Sequence, residues 1–343
     1  MAKYNTKPPL KSKHYDAFAE TIPSLKGQTM AITGTTSGTG YVAAHTVARK
    51  GARVLLLNRP SERSTTSLAA LKSECPSGEF IAIDCDLQSF DSVRKAADQI
   101  IAMCPDGLDV LCNNAGVMAL SDKATGEGFD VQMQTNHLSH FLLTRRLFPL
   151  FEKAAELRGE ARIVNHSSVA RLGAKRLEAK YLEKNGGNLG GNSTAMFPFP
   201  GARWKRYSQT KLANCVFTSC LHEKLKIANP KIKASVAHPG LATTDLANSS
   251  IEDGGMIGWF TGFMMGFMYK RGQTPEDGAM GIIKCMAEKD LPSGVLVGPG
   301  KGQGAITGIA QVYPLDKYYD NDKTRDLLWS KSCEAIGEAF EIG

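Results

Sequence analysis

A tyrosine and a lysine four residues apart, Tyr207 and Lys211, form the residue pair in this chain that is best suited to move a proton. The segment from Arg206 to Leu225 contains neither Pro nor Gly. It therefore predicts a helix, on which residues i and i+4 share one face. An ammonium beside a phenol favours the phenolate, which lowers the tyrosine pKa from about 10 toward the range that suits a general acid or base. The pair could give a proton to a carbonyl oxygen or take one from an alcohol.

The tyrosine–lysine spacing is not specific when it stands alone. It also occurs at Tyr313/Lys317 and at Tyr319/Lys323. Pro314 breaks the first of these segments as a helix, and the second, Tyr-Asp-Asn-Asp-Lys, is typical of a turn. For Tyr207 the alternative is an amphipathic surface helix on which both side chains only face water.

A glycine-rich loop near the start of the chain could bind a phosphate group. It follows an apolar run, residues 30–34, and precedes a helical stretch, residues 40–50. Glycines in this position permit a tight turn and a close approach of a pyrophosphate, while the helix N-terminus supplies free N–H groups. The alternative is an ordinary turn. The loop residues that we expect to bind a dinucleotide are Gly34, Thr36, Ser37, Gly38, Thr39 and Gly40.

The end of the second predicted strand indicates which dinucleotide would bind. An acidic residue there would bond a ribose 2′-hydroxyl and select NAD. The chain has Asn58 and Arg59 instead, and a guanidinium suits a 2′-phosphate. NADP(H) is therefore the predicted cofactor, and the alternative is that Arg59 points to solvent.

The net charge, the cysteines and the N-terminal residues argue against several classes of function. The 343 residues carry a net charge of +7, but no run of Lys and Arg indicates nucleic-acid binding. The eight cysteines are scattered without a C-x-x-C motif, which favours reduced core thiols over a metal site or disulfides. The N-terminal residues 1–16 lack the apolar region of a secretory signal. We expect a cytoplasmic protein, with an organelle address left open as the alternative.

Short apolar runs alternate with helical segments along most of the chain. The predicted strands are residues 30–34, 53–57, 80–83, 108–112, 163–165, 234–237 and 295–297. This pattern predicts an α/β fold, a Rossmann-type doubly wound parallel sheet in a single domain. The predicted divisions are an N-terminal arm (1–27), the domain itself (28–300) with an insert (169–206) and a substrate lid (245–272), and a C-terminal extension (301–343) packed on the same domain.

The predicted lid contains a strongly apolar run, Met256 to Tyr269. Its 14 residues are too few to span a bilayer, which takes about 20, and glycines interrupt it. We therefore expect a lid over the substrate. The alternative is a membrane-surface contact, for which Trp259, Tyr269 and the following Lys270-Arg271 would be suited.

Assembled in chain order, these features resemble the classical short-chain dehydrogenase/reductases over residues 28–300. The motifs are closest to those of retinol dehydrogenases, WW-domain oxidoreductases and light-dependent protochlorophyllide reductases. Besides the glycine loop and the tyrosine–lysine pair, the matching residues are Asp86-Leu87, Asn113-Asn114-Ala115-Gly116, Asn136, Ser167-Ser168, Pro239-Gly240 and Thr244.

The resemblance implies a role for each matching residue. For the cofactor, it implies that Asp86 and Leu87 flank the adenine, that Asn113, Ala115 and Gly116 line the cleft, and that Pro239, Gly240 and Thr244 hold the nicotinamide end. For catalysis, it implies that Ser168 bonds the substrate oxygen, Tyr207 transfers the proton, Lys211 binds ribose and lowers the tyrosine pKa, and Asn136 anchors a water of the proton relay.

The chain departs from the family pattern in one place. Ser168 and Tyr207 are 39 residues apart, well beyond the usual spacing, and the insert brings Met196, Phe197, Phe199 and Trp204 toward the expected pocket. The leading hypothesis is an NADP(H)-dependent oxidoreductase that acts on a bulky apolar carbonyl or alcohol, a small-molecule substrate. The protein itself is compatible with a homodimer. The alternatives are reduction of a conjugated C=C bond and a catalytically idle NADP(H)-binding regulator.

Overall fold

A computed structural model of the chain describes residues 10–194, 201–243, 253–254 and 271–343. Its strands are β1 Thr29–Thr33, β2 Arg53–Asn58, β3 Glu79–Asp84, β4 Val110–Asn113, β5 Ala161–His166, β6 Ile232–Ala237, β7 Val295–Pro299 and β8 Ala310–Pro314. They form one sheet in the order β3-β2-β1-β4-β5-β6-β7-β8, in which only β8 is antiparallel to its neighbour. The strand order reverses beside β1, and in open parallel sheets ligands bind outside the carboxyl ends of the strands at such a point.

Helices cover both faces of this sheet. They are α1 Tyr15–Thr21, α2 Gly38–Arg49, α3 Glu62–Glu74, α4 Phe90–Met103, α5 Val131–Met133, α6 Ser139–Arg158, α7 Ala202–Ala228, α8 Pro275–Ala287 and α9 Asp322–Ile336. A π-helical turn, Gln134–Leu138, joins α5 to α6. The fold class predicted from the alternating pattern is confirmed, and each of the seven predicted strands lies within two residues of an observed one.

Successive side chains of each strand pack alternately into the cores on the two faces of the sheet. On β1, Ala31 packs into the core cluster of α4, α6 and α7, whereas Met30 and Ile32 pack into the cluster of α2 and α8. Successive side chains of a strand point to opposite faces. Both faces are covered, so the strands are apolar throughout, and this is why short uninterrupted apolar runs predicted them.

The segment after residue 300 adds to both the sheet and one helix layer. The strand β8 pairs with β7, and α9 places Trp329 against Phe141 at 5.2 Å between ring centroids. Beyond α9, Glu338 forms ion pairs with Arg94 on α4 and Arg146 on α6. Residues 301–343 therefore cover the face formed by α4, α6 and α7.

At the other end of the chain, the predicted N-terminal arm contains α1. The Asp277 carboxylate of α8 accepts the backbone N–H groups of Lys13, His14 and Tyr15 at 2.9–3.0 Å. This contact fixes the start of α1 on the domain.

Most of the predicted lid, residues 245–272, lies outside the described residues, as does the apolar run from Met256 to Tyr269. Of that segment the structure describes 253–254 and 271–272. Among the helices of the described ranges, none has the length and apolar character needed to cross a membrane.

Candidate active site

The helix α7 carries Tyr207 and Lys211 into the interior of the protein. Only 3% of Tyr207 and 4% of Lys211 is exposed. The lysine Nζ lies 5.7 Å from the centroid of the tyrosine ring and donates to the His166 carbonyl at 3.1 Å. The alternative of a surface helix with two solvated side chains is therefore wrong. The other two tyrosine–lysine pairs do not share a helix, since Tyr313 is in β8 and Tyr319 precedes α9.

Ser168 stands beside the tyrosine at the end of β5. It begins a 3₁₀ turn, Val169–Gly173, and its hydroxyl accepts the N–H of Ala170 at 3.2 Å. The same side chain lies close enough to Tyr207 to oppose the rise in the tyrosine pKa that burial causes. The two hydroxyl groups thus form a pair that could hold one substrate oxygen.

Burial controls the protonation of this centre. It raises the pKa of Tyr207 to about 12, against the opposing effect of the Ser168 hydrogen bond. It also lowers the pKa of Lys211 to about 8. The expectation that Lys211 brings the tyrosine pKa below its usual value is wrong in direction. Burial of the phenolate raises the tyrosine pKa by more than the nearby ammonium lowers it.

Asn136 connects α7 to the loop after β4. It lies in the π-helical turn and is fully buried. Its amide donates to Val117 O and to Thr210 Oγ1, both at 2.9 Å, and accepts from Val117 N at 2.7 Å. Thr210 lies between the tyrosine and the lysine, so Asn136 fixes the register of α7 against this loop. The water-anchoring role that the resemblance implies stays a prediction.

The backbone of the glycine loop between β1 and α2 packs more closely than side chains would allow. Gly34 has φ +71°, and a Cβ there would lie 2.8 Å from Ala115 Cα. A Cβ on Gly40 would lie 2.2 Å from the Gly34 carbonyl oxygen. Ser37 is the N-cap of α2, yet within the described chain its side chain accepts no N–H group of that helix. This cradle and the uncapped amides fit a pyrophosphate group.

Two asparagines hold the loop in shape. Asn58 accepts the N–H of Thr35 and donates to its Oγ1, both at 2.8 Å. Asn114 accepts from Thr39 Oγ1 at 3.1 Å and donates to Thr33 O at 2.8 Å and Gly34 O at 3.1 Å. Thr36, Ser37 and Gly38 form the half-buried rim between these supports.

Arg59 is exposed at the carboxyl end of β2. A second arginine that sequence reasoning missed, Arg63 in the first turn of α3, donates to Ser37 Oγ. It therefore lies between the end of β2 and the glycine loop. Its position four residues after Arg59, at the start of a helix, is the signal that could have revealed it.

The remaining cleft residues lie on the edge formed by the carboxyl ends of the strands. The Asp86 carboxylate accepts the N–H of Gln88 at 2.9 Å, and Leu87 is buried. The side-chain amide of Asn113 donates to Thr144 at 3.1 Å and to Asn165 at 3.0 Å, so it faces the helix layer. Its predicted place in the cofactor cleft remains untested.

Two further glycines shape the cleft. A Cβ on Gly116 would lie 3.1 Å from Asn136 Oδ1 and 3.3 Å from Lys211 Nζ, so this position keeps the approach to the lysine open. Gly240, which follows Pro239, has φ +62° and packs against the carbonyl of Ile306. Thr244 lies outside the described residues.

A buried arginine fastens the insert to α7. Arg206 is fully buried and lies 3.3 Å from Asp130 Oδ2 and 3.5 Å from Asp122 Oδ2. It also donates to the carbonyls of Leu189 and Gly191 in the insert. The insert is thus tied to the residue directly before Tyr207.

Trp204 of the insert and Asp253 of the predicted lid make further contacts in the part of the chain that the structure describes. Trp204 packs edge-on against Tyr207, with ring centroids 6.0 Å apart. Asp253 accepts from Arg203 Nη1 at 2.8 Å and from Ser121 Oγ at 3.1 Å. Met196, Phe197 and Phe199 lie outside the described residues.

Comparisons with known proteins agree with this geometry. The family model described as short chain dehydrogenase matches residues 28–182. Human polyprenol dehydrogenase is 29% identical over 319 residues, which cover 92% of this chain and 87% of that protein. Mouse retinol dehydrogenase 12 is 27% identical over 339 residues, which cover 98% of this chain and 95% of that protein.

Likeness to a solved structure extends over nearly the whole chain. The crystal structure of an uncharacterised protein from Mycobacterium paratuberculosis is 30% identical, with a TM-score of 0.70. It covers 94% of this chain and 98% of its own. A short-chain dehydrogenase from Brassica napus is 33% identical over 231 residues, which cover 66% of this chain and 67% of that protein. With the family model, this match shows that the chain belongs to the short-chain dehydrogenase family of oxidoreductases, with relatives among the retinol dehydrogenases.

Proposed function

We propose that the protein is an NADP(H)-dependent oxidoreductase that interconverts a bulky apolar carbonyl compound and its alcohol. The observation that carries this proposal is the buried phenol of Tyr207, beside Ser168 and one helical turn from Lys211. Three groups that could hold and protonate one oxygen converge there. A catalytically idle regulator would have no need of this arrangement.

The protein's own residues perform the proton chemistry in this proposal. The cofactor, when bound, supplies or accepts the hydride. Tyr207 donates its proton to the substrate oxygen as negative charge develops there, and Ser168 donates a hydrogen bond to the same oxygen. Because burial raises the tyrosine pKa to about 12, the phenol keeps its proton at neutral pH. In this state the site is ready to protonate a carbonyl oxygen, which is the proton transfer that reduction requires.

Apolar side chains around the phenol support an apolar substrate. Met118, Ala119, Ala170 and Trp204 pack with Tyr207 in one small cluster. Removing apolar surface from water stabilises a complex by about 25 cal/mol per Å². Two relatives are named for polyprenol and retinol, and both names denote long apolar alcohols. We extend that substrate class to this chain.

The cofactor proposal depends on the shape and charge of the first half of the cleft. The uncapped N–H groups at the start of α2 suit a pyrophosphate, and Arg59 and Arg63 provide positive charge near the ribose end. The described residues at the end of β2 include no acidic side chain that would select a 2′-hydroxyl. The cytoplasmic location and the homodimer remain predictions of the sequence.

We expect NADPH to bind at least about tenfold more tightly than NADH, which corresponds to about 1.4 kcal/mol. Arg59→Ala should erase most of this difference, because a charge-assisted contact to the 2′-phosphate is worth about that much. Arg63→Ala should reduce the difference less. Fluorescence titration of both cofactors measures it, with Arg49→Ala, an exposed arginine at the far end of α2, as the control. An unchanged ratio in Arg59→Ala would rule out its role.

Reduction should be nearly independent of pH between about 6 and 7 and should slow as the pH rises through about 8. Burial lowers the pKa of Lys211 to about 8, so its ammonium is present below that pH and lost above it. Tyr207, with a pKa of about 12, stays protonated over this whole range. Rates at saturating cofactor and substrate measure the profile. A rate that stays constant to pH 10 would contradict the need for a charged lysine.

A substrate screen tests the function itself. The protein would be incubated with NADPH and with apolar aldehydes, ketones or enones, and consumption of the cofactor would be followed by absorbance. Turnover of aldehydes or ketones supports the proposal. Product analysis that finds only saturated C=C bonds would replace it with conjugated-bond reduction, and no turnover with tight NADPH binding would favour the idle regulator.

A further inference from the structure

A buried histidine joins two parts of the site that are distant in the sequence. His140, at the start of α6, is 1% exposed. Its Nε2 lies 2.9 Å from Thr33 Oγ1 at the end of β1, and its Nδ1 lies 3.1 Å from the backbone oxygen of Asn136. One imidazole ring therefore contacts both the strand that leads into the glycine loop and the π-helical turn.

The partners fix which ring nitrogen carries the proton. A carbonyl oxygen only accepts, so Nδ1 of His140 donates to Asn136 and Nε2 accepts. The Thr33 hydroxyl supplies the proton to Nε2, since the Cys112 carbonyl is farther away at 3.4 Å. The lone pairs of Thr33 Oγ1 accept the N–H groups of Asn114 at 3.0 Å and Ala115 at 2.9 Å. Every polar atom of this group is then satisfied.

The charge state of the ring agrees with this arrangement. The pKa of His140 is lowered to about 4, mainly by burial and also by the nearby Lys211, against the opposing effect of the hydrogen bond to Asn136. The imidazole is thus neutral at physiological pH. A neutral ring with a fixed tautomer holds its hydrogen bonds to Thr33 and Asn136 in one geometry, and we call it the connector.

The two ends of the connector serve different parts of the site. Thr33 directly precedes Gly34 and holds the chain after β4 beside the loop. Asn136 fixes Val117 and Thr210 around the tyrosine–lysine pair. We propose that His140 is a positioning residue that couples the cofactor loop to the proton-transfer centre. This inference rests on the proposed function.

Two substitutions separate the two contacts. His140→Asn places an amide where Nδ1 is, and so keeps the bond to Asn136 while losing Thr33. His140→Gln places an amide where Nε2 is, and so keeps Thr33 while losing Asn136. We expect the Asn variant to weaken NADPH binding about tenfold and keep kcat within about threefold. The Gln variant should keep the affinity and lower kcat about tenfold, the size expected for one buried hydrogen bond.

A neighbouring histidine provides the matched control. His137 is also buried, but its Nε2 is 2.9 Å from Ser332 on α9, away from the loop. His137→Asn and His137→Gln should lower the thermal midpoint without separating affinity from kcat. If both His140 variants lose affinity and kcat together, in proportion to their loss of thermal stability, the coupling role is overturned.

A spectroscopic test needs neither cofactor nor substrate. In ¹⁵N-histidine-labelled protein, the signal that disappears in His140→Asn should be that of a neutral ring protonated at Nδ1. Protonation at Nε2 would overturn the proposal. If Tyr207→Phe retained turnover, the proposed function would fail, whereas the NADPH titrations and this signal would still decide the connector role of His140.

Discussion

Replacing Tyr207 with Phe should lower kcat by about 10³-fold or more while NADPH still binds within about threefold of the original affinity. The substitution removes only the phenol oxygen, which is the proposed proton donor, and general acid catalysis contributes about 10²–10⁴-fold. Loss of the Ser168 hydrogen bond adds to the effect. Lys211 Nζ keeps its bond to the His166 carbonyl, so the lysine stays in place for the cofactor. Stopped-flow turnover and a fluorescence titration separate the two quantities.

Tyr319→Phe is the control for this experiment. Tyr319 is 1% exposed, so the variant also removes one buried phenol oxygen, but outside the Ser168–Lys211 centre. Its kcat should stay within about threefold. Substantial turnover by Tyr207→Phe, with the substrate found by the screen, would assign the proton transfer to another group.

The second large effect is on stability. Arg206→Met should lower the free energy of unfolding by about 3–5 kcal/mol, because removing one partner leaves an uncompensated buried charge. Here two carboxylates, Asp122 and Asp130, share the one guanidinium. The insert would also lose its two carbonyl contacts at Leu189 and Gly191. Urea unfolding of the purified protein measures the change.

The cost of Arg206→Met should depend on pH. Burial already raises the pKa of Asp130 to about 6, and removing the arginine raises it further. A carboxyl whose folded-state pKa is raised stabilises the fold at low pH and loses that contribution as pH rises through the folded value. The variant should therefore lose more stability at pH 8 than at pH 5.

Two variants check the cause of the Arg206 effect. Adding Asp130→Asn to Arg206→Met should recover part of the loss. Lys226→Met, which breaks an exposed ion pair with Glu223 on the same helix, should cost less than about 1 kcal/mol. If Arg206→Met lowered the free energy of unfolding by less than about 1 kcal/mol at every pH, the arginine would not be what stabilises the buried carboxylates.

Three parts of the fold that the sequence did not predict, α3, β8 and the π-helical turn, have a weak apolar pattern. On α3 only Ser67 and Leu71 are buried, so its residues carry little helical periodicity. The edge strand β8 has mainly exposed or half-buried side chains and ends in Pro314. The π-helical turn at 134–138 has no sequence signal of its own. Of the seven predicted strands, all but the edge strand β3 are buried on both faces, which demands apolar residues throughout.

Within the site, local spacing predicted individual groups but not their contacts. Tyr207 and Lys211 were predicted from helical periodicity, yet the direction of the tyrosine pKa depended on burial, which spacing does not report. Arg63 and His140 reach their partners across 26 and 107 positions of the chain. No short pattern records such contacts, which exist only after the strands have assembled.

The placement of α9 also bears on how the protein is made. The helix α7, which carries Tyr207 and Lys211, is completed long before residues 322–340, whose Trp329 and Phe340 cover Phe141 and whose Trp329 also covers Phe217. Because domains fold as units during synthesis, a nascent chain that stops short of this segment exposes an aromatic surface to chaperones and to other chains. The helix α7 is therefore among the last parts of the core to become enclosed, although its residues leave the ribosome well before the segment that encloses it.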